Sequence, residues 1–245
     1  MARLVLVHGA FGGTWCWDRV VPELAAAGHA VETVTLPGAR GDDTPVAEVS
    51  LDAYAERICE TLAGGPPAIL AGHSMGGMAI TQAAARSPEH VQALAYVAAF
   101  LPQDGQSLGD LVALPEGAGD QVQANLVVQD DSPVAILPAA AAPEVLFHCC
   151  ADADARWAAG MLVAQPLAPF GQPMRVPAES AAAFAALPRA YISCLQDRAI
   201  LPALQRRMCE TAGCDPVIEI DTDHSPWLSR TNELVGALNR IGGGV

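Results

Sequence analysis

Ser74 stands between two glycines in GHSMG (72–76), after the apolar run AILAG (68–72) and before GMAITQAAARS (77–87). Gly-x-Ser-x-Gly on a sharp strand-to-helix turn exposes a serine hydroxyl as a nucleophile. The turn strains the serine, so the positions two residues either side must be small, as Gly72 and Gly76 are. The helix N-terminus beneath it favours developing negative charge. Chance often supplies three fixed positions in five residues, but it does not readily supply the flanking strand and helix. The nucleophilic reading therefore leads over that of a mere tight turn.

A nucleophilic serine needs a base, and the chain has six histidines. His29 and His90 fall at helix ends and read as surface caps. His73 adjoins the serine, but its side chain should point away from it. His148 sits in the middle of the chain, where it either lines a pocket or packs. His8 belongs to the loop HGAFGG (8–13). His224, in DTDHSPW (221–227) between the last strand and the last helix, has the position that the order serine, acid, histidine requires.

The acid should lie at the C-terminal end of a strand. Asp197 does so in YISCLQDRAI (191–200). Asp215 precedes the final strand and falls at the wrong sheet edge. Asp221 also precedes the histidine, and Asp223 is its immediate neighbour, with awkward geometry for bonding the ring. Asp104, just past ALAYVAA (93–99), is the rival. Asp197 is preferred, to fix the imidazole tautomer and stabilise the imidazolium. An oxyanion would meet the N–H of Met75 and one from HGAFGG, where Ala10 is preferred and its neighbour Phe11 remains open. That loop lacks the spacing of a phosphate cradle.

These residues need a scaffold. Apolar runs at 3–8, 31–36, 68–72, 93–99, 190–194 and 217–220 alternate with amphipathic stretches at 15–27, 51–63, 77–86, 199–212 and 229–240. Near-continuous Val, Ile and Leu in such a rhythm predicts a parallel sheet covered on both faces. Residues 101–187 break the rhythm. They are rich in Pro, Ala and Gly and hold helix-like pieces such as 143–163. The prediction is a core of 1–106 and 188–245 with a helical cap over 107–187, inserted after the fourth strand. Phe147, Trp157, Phe170 and Phe184 favour a packed cap over a solvated linker. Phe11, Phe147, His148, Trp157 and Leu162 are candidates to line a substrate pocket, although such residues at helical spacing are more often core.

Composition narrows the function classes. The 245 residues are 51% hydrophobic and 16% charged, with 27 acidic against 13 basic side chains and a net charge of −14. So acidic a chain has no electrostatic footing on a phosphate backbone, which argues against nucleic acid. The apolar run in MARLVLVHGAFGG is too short for a signal-peptide core, and no stretch reads as a membrane span. Seven scattered cysteines show no zinc or redox spacing. The expectation is a reduced, cytoplasmic protein.

Taken together, these pieces resemble the α/β-hydrolase superfamily, in particular its branch of plant methylesterases, hydroxynitrile lyases and bacterial pyrethroid-type carboxylesterases. The resemblance runs from LVLVHGAFGGTWCWDRVVPELAAAGHAVETVTLPG through LAGHSMGGMAI, YVAAFLP and LFHCCADADARWAAGMLVAQPLAPF to YISCLQDRAILPALQRRM and DTDHSPWLS. It implies an α/β-hydrolase fold with a mostly parallel six-stranded sheet. It also implies Asp197 and His224 as acid and base, Ala10 and Met75 as oxyanion donors, and no metal or organic cofactor. In the lyases of that branch a threonine stands at the position of Gly9, and a lysine that holds cyanide follows the histidine. Here Gly9 and Ser225 stand there. The expected activity is therefore serine carboxylesterase action on small, mostly apolar esters. A cyclase handling lactones or thioesters, a lyase-like enzyme and a ligand-binding protein with a slow triad are the alternatives. The partner is a small-molecule ester, and the apolar surface that such caps often carry leaves room for a homodimer.

Overall fold

The computed structural model describes residues 1–243. Its apolar runs form strands β1 (Arg3–Val7), β2 (Ala30–Val34), β3 (Ala68–His73) and β4 (Val91–Val97). A long excursion then holds three short strands, β5 (Val127–Val128), β6 (Val134–Ile136) and β7 (Gln165–Pro166). The chain returns as β8 (Arg189–Cys194) and β9 (Val217–Ile220). The six long strands make one parallel sheet in the order β2-β1-β3-β4-β8-β9. This is the predicted α/β-hydrolase sheet. Every residue of β1 and β3 is buried, whereas β2 and β9 at the edges are largely exposed.

Strand alternation divides the core between the two faces. Leu4, Leu6, Ile69 and Ala71 face one layer, where Trp17, Leu24 and Leu238 pack. Val5, Val7, Ala68 and Leu70 face the other, with Tyr54, Ile58, Met78 and Ile80. The layers are built by α1 (Val21–Ala26), α2 (Leu51–Ala63) and α3 (Gly76–Arg86). Ser50 caps α2 by accepting the Ala53 N–H at 3.0 Å, and Leu51, Tyr54, Ala55, Ile58 and Leu62 form its buried face. The expected helix over 15–27 is a short 3₁₀ turn (Thr14–Trp17) followed by α1, because Pro22 suits the first turn of a helix and not its middle.

Arg3 ties this layer to the sheet. Its guanidinium is buried and donates to the carbonyls of Thr61, Leu62 and Pro66 at the end of α2, while Nε pairs with Glu32 at 2.7 Å. A cation satisfies the free carbonyls of a helix C-terminus. Arg3→Met keeps the stem but strands those oxygens. It is expected to destabilise the fold by about 2–3 kcal/mol, read as a lower urea midpoint at unchanged slope.

The excursion between β4 and β8 carries α4 (Leu108–Val112), α5 (Gln121–Asn125), α6 (Ala142–Leu146), α7 (Asp152–Met161), α8 (Ala168–Gly171) and α9 (Ala181–Ala185). To the expected helices it adds the small antiparallel sheet β5-β6-β7. Strands of two or three residues, one containing Pro166, are too short to show alternation. The single helix-like run 143–163 is divided into α6 and α7, because the Cys149 N–H between them donates to Asp223 Oδ2 at 2.7 Å. The chain closes with α10 (Pro202–Ala212), α11 (Pro226–Ser229) and α12 (Thr231–Gly243). Among the described residues no helix is long and apolar enough to cross a membrane.

Candidate active site

Val7 on β1 is in register with Gly72 on β3, so the loop leaving β1 and the turn leaving β3 emerge side by side. β2 and β3 flank β1, and the crevice where strand order reverses is where open α/β sheets receive ligands. Ser74 has φ 55°, a left-handed backbone that is costly for a residue with a Cβ. The surroundings enforce it. A Cβ on Gly76 would lie 2.6 Å from the His8 carbonyl oxygen, and one on Gly72 would lie 2.7 Å from that of Gly76. The serine backbone is also tied to β4, its N–H donating to Val97 and its carbonyl accepting from Phe100.

The loop 8–13 is held from both sides. His8 Nε2 accepts the Leu36 N–H at 3.1 Å while Nδ1 donates to the Gly9 carbonyl at 2.8 Å, and burial lowers its pKa to about 4. Phe11, with φ 61°, donates its N–H to Gln165 Oε1 at 3.3 Å and accepts the Val163 N–H at 2.8 Å. The Phe11 amide is thus occupied. Neither Ala10 N–H nor Met75 N–H donates to another group among the described residues. Gln165 also reaches the Tyr54 hydroxyl at 3.0 Å, so one side chain pins the first loop to the excursion.

His224 leaves the end of β9, and its Nδ1 donates to Asp197 Oδ2 at 2.7 Å. With Nδ1 protonated, Nε2 is the basic nitrogen. Asp197 is 2% exposed and fully partnered: Oδ1 accepts from Ala199 (2.7 Å) and Ile200 (2.9 Å), and Oδ2 also accepts from Gln205 Nε2 at 3.1 Å. Burial acts to lower the His224 pKa. The charge and hydrogen bond of Asp197, with the charges of Asp223 and Asp120, outweigh it and hold the pKa above the ordinary value. His73 donates from Nε2 to the His224 carbonyl at 2.8 Å. Burial first, then the neighbouring His224, keeps His73 well below the ordinary histidine range, so it stays neutral.

Ser74, His224, Ala10 and Met75 line one cavity of about 310 Å³. Its wall is mostly apolar, with Trp15, Phe100, Val112, Leu126, Phe147 and Ile200 among the contributors, and among the described residues no Lys or Arg lines it. Of the five candidate pocket residues, Phe11, Phe147 and Leu162 lie on this wall. His148 and Trp157 do not. α7 turns Ala155, Ala158 and Ala159 inward, which leaves Trp157 on the outer side, 44% exposed and edge-on to Trp15 at 5.4 Å. His148 follows α6, where the chain turns to meet Asp223. Asp104 is exposed and accepts the Val176 N–H at 2.9 Å. Gln205, His73 as a backbone clamp, Gln165 and Asp120 were not legible as site residues. His73 and Gln165 reach partners far along the chain, whereas Asp120 and Gln205 bond nearby loops, and no sequence pattern marks any of the four.

The sequence profile of the Alpha/beta hydrolase family matches residues 4–237. Polyneuridine aldehyde esterase of Rauvolfia serpentina is 28% identical over 253 residues, covering 96% of this chain and 94% of the relative. A chloroplastic methylesterase-type protein of Arabidopsis thaliana is 29% identical over 243 residues, covering 95% of this chain, which spans 62% of that relative's length. Among solved structures, that of the pyrethroid hydrolase PytH with BIF has a TM-score of 0.85 at 26% identity, covering 99% of this chain and 98% of the other.

Proposed function

Because the chain belongs to the alpha/beta hydrolase family, we propose that it is a serine carboxylesterase acting on small, mostly apolar carboxylic esters. The observation that carries this reading is the 2.7 Å pair of His224 and Asp197, with His224 on the same cavity as Ser74 in its strained turn. His224 Nε2 takes the Ser74 proton as Oγ attacks the ester carbonyl. The N–H groups of Met75 and Ala10 hold the tetrahedral oxyanion, where each such donor is typically worth ~3 kcal/mol to the barrier. His224 then protonates the departing alcohol, and water cleaves the acyl-enzyme by the same steps reversed. Residues 107–187 act as the cap that shapes the pocket.

Two features favour ester hydrolysis over cyanohydrin cleavage. Among the described residues no Lys or Arg lines the cavity to hold cyanide, and Ser225 follows His224. The threonine position of the lyases is Gly9, where any Cβ would stand 2.7 Å from Ser74 Cβ.

The test pairs a fluorophosphonate adduct, read by intact mass and peptide mapping, with steady nitrophenol release from short acyl esters. The expected result is one adduct, on the peptide carrying Ser74, together with sustained turnover. An adduct with a single burst and no turnover would move the protein to the cyclase or ligand-binding readings. No adduct would leave GHSMG as only a turn.

A further inference from the structure

One carboxylate in the cavity bears on His224 through its charge, yet has an oxygen that the proposed ester chemistry leaves unused. Asp120 precedes α5 and lines the same cavity as Ser74 and His224. Its Oδ1 accepts the N–H groups of Val122 at 2.7 Å and Gln123 at 3.3 Å. Among the described residues nothing donates to Oδ2. The backbone around it is fixed: Asp120 N–H donates to the Gly117 carbonyl at 3.2 Å, and Gln121 N–H to the Arg198 carbonyl at 2.8 Å. That second bond joins Asp120 to the loop that carries Asp197, so both acids sit on one frame.

The surroundings make this oxygen unusual. Burial raises the Asp120 pKa to about 6, against the lowering by the Gln123 and Val122 amides and the His224 charge. At slightly alkaline pH the group is therefore mostly ionised. Among the described residues the cavity wall supplies no Lys or Arg to meet it. An ionised carboxylate facing an apolar cavity is stabilised by a ligand that brings a positively charged donor. The same carboxylate offsets the repulsion that such a ligand would exert on the imidazolium formed at His224.

We propose that Asp120 is the cation-recognising subsite of this cavity, its Oδ2 accepting the N–H of a protonated amine carried by the ester substrate. The proposal rests on the esterase reading and narrows it to esters that bear an aliphatic amine. No covalent step involves Asp120.

A matched pair of esters tests it. In 2-(dimethylamino)ethyl butyrate and 3-methylbutyl butyrate the protonated nitrogen of one replaces the CH of the other. Asp120→Asn keeps the oxygen that caps α5, since Asn caps as well as Asp. At pH 7.5 the ratio of kcat/KM for the amine over the neutral ester is expected to fall about tenfold or more in Asp120→Asn, the scale of a charged hydrogen bond. A change in the neutral ester's rate would report the charge that Asp120 lends to His224, so the ratio and not the neutral rate reads the subsite. An unchanged ratio would overturn the subsite. So would equal losses for both esters, which would assign Asp120 to His224 instead. Calorimetric binding of both esters to Ser74→Ala, with and without Asp120→Asn, separates this from the esterase reading. Amine-selective binding that depends on Asp120 without turnover in the parent would keep the subsite and remove the esterase. Equal binding of the pair by both variants would remove the subsite.

Discussion

Ser74→Ala is expected to lower kcat/KM toward short acyl esters by about 10⁴-fold or more, and adding His224→Ala should lower it hardly further. The reason is that nucleophile and base act as one unit. Once the hydroxyl is gone, His224 has no proton to take, so its removal costs nothing more in the chemical step. What survives is binding and the oxyanion donors. The amides of Met75 and Ala10 are backbone groups that neither substitution touches, so a residual rate above water should remain. The fold should tolerate Ser74→Ala, because alanine adds no atoms at the strained turn and φ 55° is already imposed by its neighbours. The measurement is a double-mutant cycle on kcat/KM, with circular dichroism melts as the control. Losses that multiply across the two sites would show that Ser74 and His224 do not work as nucleophile and base, and the triad reading would fall.

The parts that the sequence made legible are those fixed by local rules. GHSMG needs only a strand before it and a helix after it, and the small residues at 72 and 76 are dictated by backbone oxygens that approach within 3 Å of where a Cβ would be. The inner strands are legible because a parallel sheet buries both their faces, leaving apolar runs such as LVLV, while the edge strands β2 and β9 keep only part of that pattern. Chain order singles out His224, and a strand end favours Asp197 while leaving Asp104 as a rival; in the structure His224 Nδ1 lies 2.7 Å from Asp197 Oδ2.

What the sequence does not show depends on side-chain contacts that no periodicity or motif encodes. Gln205 looks like one more polar residue of α10, yet its amide reaches Asp197, Ile200 and Cys194 while its oxygen accepts from Ser193 and Cys194. Asp223 reads as a poor partner for the adjacent ring. It instead braces its own loop through Ser225 and Ser229 and anchors the excursion at Cys149. The pocket residues divided for a similar reason. A helix period names two faces but not which one meets the cavity, and α7 gave the inner face to its alanines and not to Trp157.

The second large effect concerns the acid. Asp197→Asn should reduce the plateau of kcat/KM by about 10³–10⁴-fold, since an amide in this position can donate to Nδ1 and favour the tautomer that carries the proton on Nε2. Its pH profile carries more information than the loss itself. In the parent protein the base must be neutral, and its pKa is held above 6.5 by a charge that outweighs burial. Activity should therefore rise through an apparent pKa above 6.5. Removing Asp197 deletes the largest raising influence and leaves the burial that lowers the pKa, so the acid limb of the variant should move to lower pH. Stability carries the same sign. A histidine whose folded pKa exceeds its unfolded value favours the fold below about 6.5 and loses that contribution as pH rises through the folded value. Urea midpoints of parent and variant should hence differ most at acid pH and converge partly above neutrality. A variant that kept both the parent's plateau and its acid limb would mean that His224 takes its charge from elsewhere. Asp104, which accepts the Val176 amide at the surface, would then have to be tested in its place.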